Sequence, residues 1–142
     1  MKVYITDYEK QKENIHSIRK SVFVIEQKVP AELEFDDQDP HCTHAIVFDD
    51  QTPIAVGRID LSKDGKVGRV AVLKEYRRRG AGSLVIQALE QFARKHQQKT
   101  IWFHAQISSI PFYSELGYQV VGEEFLEASI VHQKMEKQLP AQ

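Results

Sequence analysis

Two apolar rhythms divide this chain. Lys2 to Ile5 has the extended pattern of a short strand, and Thr6-x-x-Glu9 matches a capping box opening a helix in which Ile15, Ile18 and Val22 recur at helical spacing. Pro30 to His41 then reads as an irregular acidic stretch. Three strands follow, Ala45 to Phe48, Ile54 to Leu61 and Val67 to Leu73, divided by turn-forming segments at 49–53 and 62–66. Short turns between strands predict an antiparallel meander. A helix from about Gly80 to His96 turns Val85, Leu89 and Phe92 to one side and keeps Lys95 and His96 at its negative end. Thr100 to Ala105 reads as a buried strand, and a strand–helix–strand connection makes it parallel to the third meander strand. Ser108 or Ser109 then caps a short helix that accepts Pro111 in its first turn and stops at Gly117. Tyr118 to Phe125 and Ile130 to Glu136 form a closing strand pair. A mixed, mostly antiparallel sheet flanked by helices is the expected α/β class, with residues 1–142 as one domain.

Charge narrows the partners. Nineteen Lys and Arg against twenty Asp and Glu leave a formal charge of −1, which gives no global attraction to nucleic acid. The one cysteine, Cys42, has no partner within the chain for a disulfide. The N-terminal residues lack an apolar signal core, and no apolar run approaches the roughly 18 to 20 residues of a membrane helix. A soluble cytoplasmic protein with no membrane partner is expected.

The chemistry concentrates where the third meander strand meets its helix. Arg77, Arg78, Arg79, Gly80, Ala81, Gly82 and Ser83 bring cationic side chains and small residues to a helix start. Unpaired N–H groups, the positive end of the helix dipole and fixed charge converge there, and glycine permits close backbone approach, so the segment suits a diphosphate. Neither G-x-x-x-x-G-K-[ST] nor G-x-G-x-x-G occurs. What is present is Arg77-x-x-Gly80-x-Gly82, which resembles the pyrophosphate loop of the GNAT (GCN5-related N-acetyltransferase) superfamily. The order of elements is similar to the GNAT fold over nearly the whole chain. That resemblance implies a sheet splayed between its two central parallel strands and acetyl-CoA as co-substrate. It also implies pantetheine contacts from the main chain of Val70, Ala71 and Val72, and pyrophosphate contacts from Arg77 to Ser83.

Gln106 to Tyr118 resembles a second family segment, with Tyr113 at the family's tyrosine position and Gln106 replacing the usual Asn. Gln106 keeps an amide for the pantetheine. Arg19-x-x-Val22-Phe23-Val24-Ile25-Glu26-Gln27, then Glu34-x-Asp36-x-x-Asp39 and His44, and the ending Phe125-Leu126-Glu127-Ala128-Ser129-Ile130-x-His132-x-x-Met135, resemble small bacterial ElaA-like or YjcF-like members. Acyl-homoserine-lactone synthases share part of that pattern. Family members commonly pair through terminal strands, which leaves a homodimer as one expectation.

Acetyl transfer requires an amine to attack a thioester, a donor for the oxyanion, and a proton or hydrogen bond for the departing thiolate. The N–H near Val72 is the expected donor. Reference pKa values of about 10 for tyrosine and 8.5 for a thiol make Tyr113 the expected general acid for the leaving sulfur. An alkylamine, at about 10.4, must lose a proton before attack, so a base is expected, with Glu26, Asp36, His104 and His132 as the candidates. His104 alternates with Trp102 and is expected to be a hydrogen-bonded core residue. The acidic set Glu32, Glu34, Asp36, Asp37 and Asp39 reads either as a solvated loop or as an attractor for a cationic amine. His41-Cys42-x-His44 has ligand residue types without a further ligand cluster, so no metal is expected. The acceptor is a small-molecule, peptide or protein amine. The alternatives are an acyl-CoA-binding regulatory domain without turnover and an acyl-homoserine-lactone-type synthase.

Overall fold

Seven strands in the order β1-β2-β3-β4-β5-β7-β6 form one mixed sheet in the computed structural model, which describes residues 1–140. The strands are β1 (Lys2–Thr6), β2 (Thr43–Asp49), β3 (Thr52–Asp60), β4 (Lys66–Val72), β5 (Thr100–Gln106), β6 (Gln119–Glu127) and β7 (Ile130–Gln138). β4 and β5 are parallel and every other neighbouring pair is antiparallel. Helices α1 (Tyr8–Arg19), α2 (Ala31–Glu34), α3 (Ala81–Lys95) and α4 (Ile110–Glu115) cover the sheet.

Each face of the sheet carries its own apolar cluster. Ile15, Ile18 and Val22 pack on Ile46, Val56 and Ala71 from one side. Val85, Ile86 and Leu89 of α3 pack on Ala45, Val47, Ile54 and Ile101 from the other. All three α3 side chains are fully buried, which is worth about 1.5–3 kcal/mol each against exposure. Coverage on both sides explains why β2 and β3 have continuous apolar runs instead of clean alternation.

Two expectations fail at the first helix. Asp7, not Thr6, caps α1, its carboxylate accepting from the Lys10 N–H at 2.9 Å while the Thr6 hydroxyl donates to the Asp7 carbonyl. An aspartate one residue on is the stronger acceptor and sets the start. The helix then widens into a π-helical turn over Lys20–Glu26, which carries the chain toward β4 and α2. Pro30 to His41 also differs from an irregular solvated loop: it holds α2 and a single turn at Asp39–His41, and Glu34 and Asp39 are buried.

Candidate active site

β4 and β5 meet at one register position, Lys66 opposite Trp102, and separate beyond it. A bulge in β4 accompanies the divergence. Val56 pairs with Ala71 and Arg58 with Gly68, so Gly57 of β3 faces both Arg69 and Val70. Arg69 adopts a left-handed φ of 52°, held by its side chain, which donates to the Leu33 carbonyl at 3.1 Å and pairs with Glu34 at 2.8 Å and Asp36 at 3.2 Å. The Leu73 N–H bonds to the Ile54 carbonyl at 2.9 Å, so strand alternation turns the Ala71 main chain toward β3 and those of Val70 and Val72 into the gap. The Val72 carbonyl there accepts from Arg77 Nε at 3.0 Å. Among the described residues its N–H faces no paired strand, the β4–β5 pairing being confined to Lys66 and Trp102.

The Arg/Gly segment closes the wide end of this gap. Arg78 and Gly80 are left-handed at φ 65° and 89°, and α3 starts at Ala81 with no side chain capping it, so its first-turn N–H groups point outward unpaired. A Cβ at Gly80 would meet nothing within 4 Å, leaving open space for an anion. At Gly82 a Cβ would come within 3.2 Å of the Phe112 ring and 3.6 Å of Val72. Gly82 therefore brings α3, β4 and α4 together, a packing role beyond the phosphate approach read from sequence. Arg77 is committed elsewhere, its guanidinium forming a two-bonded pair with Glu26 at 2.7 Å. Arg79 lies over the Tyr76 ring at 5.4 Å, Ala81 is buried and Ser83 half-buried.

A cleft of about 420 Å³ occupies the gap on the α1–α2 face, with Gly68, Val70, Gln106, Tyr113, Asp36, His104 and His132 among its walls. Tyr113 is only 8% exposed, packed against Phe103 at 4.2 Å and Phe112 at 5.0 Å between ring centres. Burial pushes its pKa up, so the hydroxyl keeps its proton, and among the described residues that proton has no acceptor. Gln106 donates its side-chain amide to Gln27 at 2.8 Å, tying β5 to the segment after the π-helical turn.

The base candidates separate. Glu26 sits outside the cleft wall, and its hydrogen bonds to Arg77 hold its carboxyl below the ordinary range. Asp36 lines the cleft. Burial opposes its ionisation, but Arg58, at 2.9 Å to both oxygens, and Arg69 outweigh this and hold its pKa far below the carboxylate range. His104 is not a core residue as expected: β5 buries Ile101, Phe103 and Ala105 toward α3 and turns Trp102, His104 and Gln106 to the cleft face. His104 Nδ1 donates to Glu127 at 3.0 Å, an ionised carboxylate being acceptor only, so Nε2 is the nitrogen that accepts a proton when the ring is neutral. His132 Nδ1 donates to the Ile130 carbonyl at 2.7 Å, and its Nε2 lies 3.8 Å from the same Glu127.

The acidic stretch is neither a solvated loop nor a free attractor for cations. Arg19, 1% exposed, donates to Glu34 at 3.0 Å and to Asp39 at 2.7 Å, and Arg58 reaches the same Asp39 oxygen at 2.7 Å. Arginines thus neutralise Glu34, Asp36 and Asp39, while Glu32 and Asp37 are exposed. An arginine inside the apolar run of β3 was the available signal, because a buried guanidinium requires carboxylate partners. Glu127 was also missed as a site residue, since its partner His104 is distant in sequence. Among the described residues no cluster of three metal-ligand side chains forms; His41 is exposed, while His44 is buried against the Asp39 carbonyl. Burial pushes the Cys42 thiol up to about 11.

A mixed sheet opened between its two central parallel strands, with an anion-receptive helix start beside the opening, is the GNAT architecture. The family model for the acetyltransferase (GNAT) domain matches residues 5–139, and the chain belongs to that family. The uncharacterized N-acetyltransferase YjcF of Bacillus subtilis (strain 168) is 39% identical over 140 residues, covering 96% of this chain and 99% of that protein. Escherichia coli ElaA superposes with a TM-score of 0.87 at 23% identity, covering 96% of this chain and 99% of the other. An acyl-CoA N-acyltransferase from Pseudomonas aeruginosa gives 0.84 at 23% identity with the same coverages. No helix among the described residues is long and apolar enough to cross a membrane.

Proposed function

We propose that this protein is an acetyl-CoA-dependent N-acetyltransferase that moves the acetyl group directly from the thioester to a primary amine. The observation that carries the reading is the meeting at Gly82 of the open helix start, the unpaired edge of β4 and the helix bearing Tyr113. Acetyl-CoA fits these residues because the space at Gly80 and the first-turn N–H groups suit its pyrophosphate and the open edge of β4 suits its pantetheine amides. The expected holders are Val70 and Val72 through their main chain, the segment Arg77 to Ser83, and Gln106.

The N–H of Val70, the residue of the open β4 edge nearer to His104, is the donor for the oxyanion that develops on the thioester carbonyl, while Val72, nearer the helix start, holds the pantetheine. The acceptor ammonium first loses one proton to solvent; as the C–N bond then forms, the attacking nitrogen becomes strongly acidic, and the neutral His104 ring takes the second proton at Nε2 while Glu127 holds the ring. The C–S bond then breaks. Burial makes Tyr113 a weaker acid than its reference pKa implies, so it serves the departing thiolate as a hydrogen-bond donor and solvent completes the protonation.

Incubation with acetyl-CoA and a panel of primary amines tests the reading, measuring thiol release and acetylated amine together. One thiol per acetyl-amine is expected, with no acetylated protein intermediate. Saturable coenzyme binding without acetyl-amine would favour the regulatory domain, and turnover requiring S-adenosylmethionine would favour the lactone synthase.

A further inference from the structure

Two lysine ammonium groups meet over one indole where β4 and β5 still touch, Lys66 in the cleft wall and Lys134 outside its lining on the same face. The Lys66 and Lys134 ammonium groups lie 5.4 and 4.7 Å from the centre of the Trp102 ring, whose Nε1 donates to the Lys63 carbonyl at 2.9 Å. Lys134 is the register partner of His104, and the His104 ring is 5.4 Å from that of Trp102. Among the described residues, neither lysine has a carboxylate within 4 Å, whereas Arg58 and Arg69, which line the cleft together with Lys66, are both paired. The carboxylates lining this end are engaged: Glu127 with His104 and His132, Asp60 with the Ser62 N–H and hydroxyl. Lys66 is half-buried, and burial lowers its pKa. A desolvated ammonium without a counter-ion is costly, and an indole face offsets this only in part.

We infer that the acceptor is an amine that also carries an anionic group, its nitrogen at His104 and Glu127 and its anion at Lys66 and Lys134. The inference rests on the acetyltransferase reading and names its substrate class. The placement of Lys134 beside His104 implies a short spacer between the two charges. Lysines act as point charges and not as a planar fork, so carboxylate and phosphate are both accommodated. A polyamine, cationic at both ends, would set a positive group against the lysines.

Acceptors would be compared at fixed acetyl-CoA: amino acids of differing chain length, phosphorylated alkylamines, uncharged alkylamines and polyamines. In parallel, calorimetry would follow binding of the same amines to coenzyme A-loaded protein. The expected result is that an amino acid or a phosphorylated amine gives the highest kcat/KM. Lys66→Met should then raise its KM about tenfold or more, collapse the preference over uncharged amines, and weaken its binding equally. Lys134→Met gives a second reading at a site remote from Lys66 in sequence, with the same direction. Preferred turnover of polyamines or uncharged amines, or an unchanged acceptor KM in both variants, would overturn the inference and leave the acetyltransferase reading intact. Lysine-dependent binding of an anionic amine without transfer to any amine would instead support the subsite and sink the acetyltransferase reading. Whichever anionic arm prevails identifies carboxylate or phosphate as the recognised group.

Discussion

The Tyr113 side chain illustrates how burial alters a role inferred from reference chemistry. Ordinary pKa values match tyrosine to a thiolate, but enclosure by Phe103 and Phe112 raises Tyr113 and favours hydrogen bonding over proton transfer. Tyr113→Phe keeps the ring packing, so kcat should fall by about 10²-fold with melting temperature and coenzyme affinity nearly unchanged. A raised tyrosine also predicts no loss of kcat from Tyr113 ionisation below about pH 10, which a pH–rate profile checks. The arginine–carboxylate cluster makes an acid-stability prediction. Burial opposes ionisation of Asp39, but Arg19 and Arg58 prevail and depress its folded pKa. A depressed carboxyl contributes stability above its unfolded value of about 3.9 and loses it as pH falls through the folded pKa. Chemical unfolding at neutral pH should show Asp39→Asn destabilised by about 1–3 kcal/mol, because it removes the charge Arg19 and Arg58 share and leaves them Glu34 and Asp36 as their remaining partners, and its stability should fall less steeply below about pH 4. Tyr113 was legible because it lies within a local motif. The partners of His104 and Asp39 were not, because long-range pairing between β5 and the β6–β7 hairpin, and between the acidic stretch and β3, leaves no local periodicity.

At the level of elements, the strand and helix order read from hydrophobic spacing reappears in β1 to β7 and in α1, α3 and α4, since each uses one dominant period, while the four-residue α2 has none to show. The departures occur where tertiary contacts override local preference. Asp7 takes the cap from Thr6, the π-helical turn extends α1, and arginines order the segment that composition makes look solvated. The bulge at Arg69 was equally invisible, because nothing in Val67 to Leu73 marks an extra residue, and a non-glycine left-handed backbone there is sustained by α2. Gly82→Val tests the junction of α3, β4 and α4. Its added methyls enter the 3.2 Å space to Phe112, so the variant should lose about 1–3 kcal/mol by overpacking and bind coenzyme A more weakly. Thermal melting and calorimetry read both effects, and unchanged values for stability and affinity would remove Gly82 from the junction.

For the whole molecule, the sheet acts as a frame held open at one place. The two apolar clusters fasten α1 and α3 to opposite faces, while the β4 bulge and a pairing confined, among the described residues, to Lys66 and Trp102 leave the central strands apart. The cleft on the α1–α2 face, where we propose the acceptor binds, and an anion-receptive helix start at the wide end then share one opening. A crystal structure with coenzyme A bound tests this account most directly. It predicts pyrophosphate density against the amides of Gly80 to Ser83, pantetheine along Val70 and Val72, and the sulfur within hydrogen-bonding reach of the Tyr113 hydroxyl. Coenzyme density elsewhere on the molecule, or a sulfur remote from Tyr113 in a fully occupied complex, would contradict it.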